Sequence, residues 1–374
     1  MNNLPLTVKR SIELLGLVLI IVIVVVGRDI IMPIIMAFFI SIVLLPVYRF
    51  LKRFKIPEAL SIVMPIMLLV IILAGIIWFF SAQVSSLVAD FPRIKHNVSI
   101  HLKSLSDWIS GISNYSTTEQ VAFINKNTND LVSFAGKTAS GAALTLSSLF
   151  IFVGLLPIYI YLMLFYKDIL LRFIFMWFSV EHHPKVKEAI YETESIIKSY
   201  LVGLLIQVTY MSILVGVTLM IIGIKHALLI GVIFAFLNLI PYVGALLGNI
   251  IGVILTLTSS TELWPVFTVL GVIAGIQFLD NNILMPRIVG SKVKINAFFA
   301  ILGVIIGGNI AGVSGMFLSM PIIAVLKVIF DRTDMFRQWG VLLGDERPAR
   351  SPMTFPIFRK KIPVSTKPGI QKTS

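Results

Sequence analysis

The run HALLIGVIFAFLNLIPYVGALLGNIIGVILTLTS, His226–Ser259, is answered further on by a second of the same kind, AFFAILGVIIGGNIAGVSGMFLSMPIIAVLKVIF, Ala297–Phe330. The first lies within, and the second begins within, a region, Gly223 to Pro321, that is largely apolar yet interrupted by glycine, proline, asparagine and one aspartate. Lys327 is the first formal charge in either run. A membrane crossing takes about 20 apolar residues, so each run is too long for one span and short for two spans plus a loop. Each also breaks near its middle. The first breaks at Asn238-Leu239-Ile240-Pro241-Tyr242-Val243-Gly244, the second from Gly307-Gly308-Asn309-Ile310-Ala311-Gly312 to Gly315. Two helical hairpins, broken or re-entrant, satisfy both observations. Irregular backbone survives at membrane depth only where protein buries it or water solvates it. Broken helices of this kind are where transporters place their substrate sites.

The composition agrees with a membrane protein. The 374 residues are 57% hydrophobic and 13% charged, with mean hydropathy +0.96, whereas soluble domains carry roughly 25% charged residues. The net charge of +13 is spread between apolar runs and in the tail, which fits membrane topology rather than nucleic acid. Cysteine is absent, so there is no disulfide framework and no thiol ligand for a metal. Leu14–Val26 has the basic flanks of a signal peptide, but Gly27-Arg28-Asp29 offers no cleavage site and a second apolar run follows, so a retained span is expected.

The fold class expected is an all-α polytopic membrane protein with about six full spans, two broken or re-entrant helical hairpins and a small helical extracytoplasmic insert. Residues 1–84 hold three spans, at about Ile12–Gly27, Ile30–Val47 and Ala59–Val84. Residues 85–142 form the insert. Within it Ile94, Val98, Leu102, Leu105, Ile109 and Ile112 recur at helical spacing, as do Val121, Ile124, Leu131 and Phe134, with Gly111–Thr118 as the turn between. Residues 143–166 are a fourth span and 167–199 a cytoplasmic amphipathic linker, whose apolar, aromatic part Ile169–Phe178 belongs at the membrane interface. Residues 200–330 are the transport core: a fifth span, the two hairpins, and the span Leu263–Leu284 between them. Residues 331–374 read as a disordered basic tail. With both termini cytoplasmic and both hairpins re-entrant, inner segments carry 24 of the 31 Lys and Arg and outer ones 7, as the positive-inside rule requires.

Asp280 is the one acidic residue well inside the hydrophobic sequence. Such a carboxylate can bind a cation, cycle a proton or accept hydrogen bonds from a hydroxylated solute; the plainer reading pairs it with Arg287 at the end of its helix. Asn281, Asn282, Asn249, Asn309, Asn238 and Gln207 are uncharged polar groups at membrane depth, suited to a neutral polar solute or to bonds between helices. Gly244, Gly248 and Gly252 share one helix face, as do Gly303, Gly307, Ala311, Gly315 and Ser319. Small residues so spaced admit close helix packing or line a path. Gly-Asn-Ile-x-Gly-Val occurs at 248–253 and again at 308–313, the pattern an inverted repeat or chance would leave. The five histidines make no metal constellation, and neither a Walker-type nucleotide motif nor a nucleophile with a base partner is present. No enzyme, cofactor or metal is expected.

At these residues the chain resembles the autoinducer-2 exporter family of bacterial membrane transporters. The resemblance rests on Tyr200-Leu201-x-Gly203, on Ile240-Pro241-Tyr242-Val243-Gly244, on Asp280 followed by Pro286 and Gly290, and on Gly307-Gly308, Gly312, Gly315 and Pro321. It covers about residues 10–335. It implies a multi-pass protein of the inner membrane forming homo-oligomers, pentamers among them, and in some members export of the furanone signal autoinducer-2. Other members resemble sodium(lithium)/proton antiporters. Three functions are therefore carried forward: a secondary transporter exporting a small polar solute, a monovalent cation/proton antiporter titrating Asp280, and a membrane scaffold or channel whose insert binds a partner.

Overall fold

The computed structural model describes residues 5–110, 154–241, 243–288, 295–333 and 336–345. The insert's turn and second helix, the first part of the fourth span and the tail beyond 345 lie outside the described residues. Every regular element described is helical. In order these are α1 (Leu6–Val26), α2 (Arg28–Arg53), α3 (Glu58–Ala89), α4 (Phe91–Ser110) and α5 (Gly154–Phe165). Then come α6 (Lys167–Met176), α7 (His183–Ile221), α8 (Ala227–Leu237), α9 (Val243–Ser259) and α10 (Trp264–Leu279). A π-helical turn (Asp280–Leu284), α11 (Met285–Ile288), α12 (Ala297–Arg332) and α13 (Arg337–Leu343) complete the chain. Five of the described helices are long and apolar enough to cross a membrane, or six if the bent pair α5–α6 counts as one. Large apolar side chains such as Ile71, Trp78, Phe267 and Phe278 stand exposed on their outer faces, a surface that only lipid or another apolar partner can cover. The chain is an all-α polytopic membrane protein.

α7 is the mast. Its 39 residues extend about 58 Å at 1.5 Å per residue, nearly twice an apolar layer of about 30 Å. Its first turns are charged and its remainder apolar, so one end must project into water. There Arg49 of α2 grips Glu194 through both terminal nitrogens (2.7 and 3.2 Å). Arg332 of α12 reaches Glu192 (2.7 Å) and Glu188 (3.0 Å). At the opposite end Asp90, between α3 and α4, holds Lys225 (2.7 Å) and His226 (3.2 Å). About 50 Å of helix separates Glu188 from Ile221. The lower half of α7 buries Ile197, Tyr200, Leu201 and Leu204 with Met32 and Phe39 of α2 and Leu318 of α12. Its upper half buries Met211, Val215 and Leu219 against α8 and α10.

Both expected hairpins are present, and glycine makes each possible. In the first, α8 and α9 reverse through residues 238–241 and pack together. A Cβ on Gly244 would fall 1.7 Å from the Leu237 carbonyl oxygen, and one on Gly248 would fall 2.6 Å from the Phe234 ring. In the second, α12 is helical throughout except at Ala311 and Gly312. A Cβ on Gly303 would meet the Ile323 side chain at 2.2 Å, and one on Gly315 the Gly307 carbonyl oxygen at 2.0 Å. Residues 303 and 323 of a straight helix would lie about 30 Å apart, so α12 doubles back on itself. The reversal is set by Gly312, whose φ of +61° belongs to the region glycine enters at least cost.

The arms are unequal. α8 has 11 residues and α9 has 17, about 16 and 26 Å. In α12 the arm before the reversal is about 21 Å long and the arm after it about 30 Å. Neither first arm crosses the apolar layer alone. The hairpins are rooted at opposite ends, one beside Lys225 and the other beside Arg332. Their tips converge, for Leu239 and Ala311 pack on the same cluster around Leu204 and Leu318. The hexapeptide shared by 248–253 and 308–313 is no structural repeat. It lies along the longer arm of the first hairpin but ends the shorter arm and makes the tip of the second.

Two sequence expectations change. α3 runs past residue 84 to Ala89, and α4 lies along α9, with the His101 ring 2.8 Å from the Ser260 carbonyl oxygen. The described half of the insert is thus laid against the first hairpin. The tail, expected to be disordered from 331, instead begins with the end of α12 and with α13. Asn296 caps the start of α12 on Phe299 (3.0 Å) and donates to the Leu342 (2.7 Å) and Gly344 (3.2 Å) carbonyls. Gly340 closes against Asp331 and Leu343 is buried. These anchors are tertiary, which is why composition missed them.

His226 joins the root of the first hairpin to Asp90 from a left-handed backbone, φ +58°. Burial, and then the neighbouring Lys225, lower its pKa from the ordinary 6.5, although Asp90 opposes them. The unfolded chain therefore binds the proton more readily, and the root loses stability as pH falls below 6.5. Asp90 is itself lowered by its hydrogen bond from Lys225 and keeps its charge over this range. Amide exchange at 224–228 is expected to quicken as pH falls from 7.5 to 5.5, after correction for intrinsic rates. In His226→Asn, which tolerates the left-handed backbone, that added pH dependence should vanish.

Candidate functional site

The π-helical turn starts at Asp280. Turns of this kind re-aim the side chains that follow and recur at functional sites. Asp280 is 1% exposed, and among the described residues no cation pairs with it. Its carboxylate is held instead by α7. The Gln207 amide nitrogen donates to Oδ2 at 2.8 Å, and the Tyr210 hydroxyl donates to Oδ1. Gln207 and Tyr210 are three apart and so share a helix face. One turn before Asp280, Gln277 donates to the side-chain oxygen of Asn238 (3.4 Å), the residue that caps α8 at the tip of the first hairpin. Two hydrogen-bonded groups, Gln207 and Tyr210 on Asp280 and Gln277 on Asn238, thus stand one helical turn apart along α10 and its π turn in a largely apolar interior.

A buried carboxylate answered only by neutral donors costs several kcal/mol of desolvation. The carbonyl oxygens of Gln207 and Gln277 add to that cost, since both are buried without a hydrogen-bond partner. Leaving such an acceptor unpaired costs about 1–3 kcal/mol. Among the described residues, the buried side-chain atoms left without a hydrogen-bond partner are thus both acceptors. Chemically the cluster suits a species that brings positive charge or hydroxyl and amine hydrogens. No group of three or more metal-binding side chains occurs among the described residues.

The other expected site residues lie elsewhere. Asn249, Asn282 and Asn309 each donate back to the carbonyl four residues earlier, on Ala245 (2.7 Å), Phe278 (2.8 Å) and Ile305 (2.8 Å), and Asn281 is exposed. Arg287 is exposed as well, and no ion pair joins it to Asp280 among the described residues. Gly244, Gly248, Gly307 and Gly315 face the opposite arm of their own hairpin, and Gly308 faces Met316. A Cβ on Gly252 would meet Ile230, Val269 and Ile273 at the ordinary contact distances of 3.4–3.5 Å. Pro241 stands at the first tip, Gly312 at the second, and Pro321 is buried in the returning arm. Tyr210 and Gln277 were not singled out from sequence. The usable signal was spacing, since each lies three residues from a group that was.

Tyr210→Phe removes one of the two donors on the carboxylate and leaves the packing of the ring. Hydrogen bonds to charged groups are worth about 1.5–3 kcal/mol. The Asp280-dependent activity is expected to fall about tenfold in reconstituted vesicles, with the fold and the yield unchanged.

Comparisons with known proteins bear on what this site serves. YrrI of Bacillus subtilis, provisionally named a transport protein, is 26% identical over 310 residues, 81% of this chain and 86% of its own. YueF of the same organism, named in the same provisional way, is 26% identical over 345 residues, 85% and 88% of the two chains. The AI-2 transport protein TqsA of Escherichia coli is 24% identical over 335 residues, 85% and 90%. The AI-2E family transporter profile matches residues 14–335. This match takes in α3, both hairpins and the Asp280 cluster, and the chain belongs to the AI-2E family of membrane transporters.

Proposed function

We propose that this protein is a secondary transporter exporting a small polar solute, of which an autoinducer-2-like signalling molecule is the leading candidate. The observation that carries the proposal is Asp280, buried beside a hairpin tip, bonded by neutral donors alone and accompanied by two unmet acceptors. Ionisable groups placed so deep are costly and mark transport pathways. A polyhydroxylated solute would replace the Gln207 and Tyr210 donors with its own hydroxyls and supply hydrogens to the free carbonyls. The likeness to TqsA, an AI-2 transport protein, adds weight to an AI-2-like cargo. The moving unit would be the two hairpins with α10, and the N-terminal helices the scaffold.

A second reading is a monovalent cation/proton antiporter. The same oxygens would hold sodium or lithium, and Asp280 would exchange it for a proton. It is favoured by Asp280 having no Lys or Arg partner among the described residues and weakened by there being one carboxylate in the described cluster. The experiment is reconstitution. Vesicles loaded with autoinducer-2 report solute efflux, and vesicles holding a pH-sensitive dye report proton movement on addition of sodium. Solute efflux without sodium-driven proton movement supports the first reading, and the reverse supports the second. A protein that supports neither is left as a scaffold or channel.

The proposal extends to a bacterial inner membrane with both termini cytoplasmic, on the excess of Lys and Arg in the segments at that end. It extends also to assembly as a homo-oligomer, five copies by the family resemblance, a number that native mass measurement in detergent would test.

A further inference from the structure

α5 and α6 form a bent pair. α6 leaves the axis of α5 at 63°, immediately after Tyr166. The place of the bend is fixed by Lys167, whose amine lies 3.3 Å from the Tyr48 hydroxyl and 3.5 Å from Glu58. Tyr48 is near the end of α2 and Glu58 begins α3, so Lys167 stands at the short turn where two membrane-crossing helices leave the apolar layer. A helix starting at that level and turning sharply from a span runs along the surface of the layer.

Its side chains fit that course. No residue of α6 is buried. Ile169, Phe173, Met176 and Trp177 are 62%, 57%, 76% and 75% exposed, and at 100° per residue they fall on one side of the helix. Phe175 lies on another side, where its ring meets that of His183 edge-on at 5.1 Å, so that side faces the root of α7. Asp168 and Arg172, four apart, follow one edge of the helix. Phe173 and Trp177 pack edge to face at 5.9 Å, and tryptophan gathers at the level of lipid headgroups. Left in water, such a face would be an adhesive patch.

We propose that α6 lies in the plane of the bilayer surface, its Ile169–Phe173–Met176–Trp177 face sunk among the lipid chains just below the headgroups. The partner is the lipid surface itself. The helix floats the root of α7 at a fixed height, because α6 is joined to it through Phe175, His183 and the bond of the His183 ring with the Phe178 carbonyl (3.2 Å). This placement does not depend on what the protein transports.

The chain has no cysteine, so single labels need no cleared background. Spin labels at Ile169→Cys, Phe173→Cys, Met176→Cys and, separately, Asp168→Cys would be read in vesicles of phosphatidylethanolamine and phosphatidylglycerol. Collision with dissolved oxygen is compared with collision with a water-soluble nickel chelate. All four side chains are unburied, so the variants should fold. The first three are expected to favour oxygen and to share one shallow depth within a few ångströms, and the label at 168 to favour the chelate. Shielding of the three from both reagents would mean that a second copy of the chain covers this face. Free access of the chelate to all four would place the helix in water. Either result overturns the proposal.

Discussion

Asp280→Asn is expected to lower transport by tenfold to a hundredfold or more while leaving the protein folded. The substitution keeps the shape, and an amide oxygen can still accept from Gln207 or Tyr210. What it removes is the charge. Hydrogen bonds to a charged group contribute about 1.5–3 kcal/mol against about 1 for neutral ones, and each 1.4 kcal/mol is a factor of ten. For a cation/proton antiporter the loss should be complete, since an amide neither titrates nor neutralises sodium. For a carrier of a neutral polyol it should be partial and recoverable at higher solute concentration. The thermal midpoint should hold or rise, because a buried charge with no cation partner is replaced by a neutral group of equal size. Unaltered transport of every kind, with the fold intact, would show that Asp280 is no part of the path.

The second large effect is structural. Gly244→Ala places a methyl carbon 1.7 Å from the Leu237 carbonyl oxygen, an approach only backbone movement can relieve. Overpacking of this kind costs about 1–3 kcal/mol, occasionally more, and at this site it would splay the first hairpin at the tip that carries Asn238. A markedly lower thermal midpoint in detergent is expected, with transport lost. Gly315→Ala, at 2.0 Å from the Gly307 carbonyl oxygen, should act alike on the second hairpin. The controls are Gly271→Ala and Gly275→Ala on α10, where an added Cβ meets nothing within 4 Å. These should be neutral or slightly stabilising, because alanine exceeds glycine in helix propensity by about 1 kcal/mol. Equal effects at all four positions would indicate a general intolerance of α8–α12 rather than close contact within hairpins.

Much of this arrangement was legible in the sequence, for identifiable reasons. Run length against membrane thickness exposed both hairpins, and glycine spacing marked the faces along which their arms close. The single acidic residue in apolar surroundings pointed to the cluster. Its membership was less legible. An asparagine in a helix can bond across to another helix or back to its own carbonyl four residues earlier, and Asn249, Asn282 and Asn309 all do the latter. Tyr210 reads as one more aromatic in an apolar span until α10 is seen to pack against it. The π-helical turn at Asp280 has no composition of its own, and the anchors of α13 join residues about 46 positions apart.

On this reading the Asp280 cluster is a polar site which solute and solvent enter during the transport cycle, not a fixed bond between helices. Single cysteines at Asn238 and Gln277, in a chain with none of its own, test it most directly. Each would be exposed in vesicles to a membrane-impermeant thiol reagent from either side, with and without autoinducer-2 or sodium. Labelling is expected at both positions despite their depth, with protection by the ligand that is carried. Complete resistance from both sides, under every condition and in a folded protein, would contradict it.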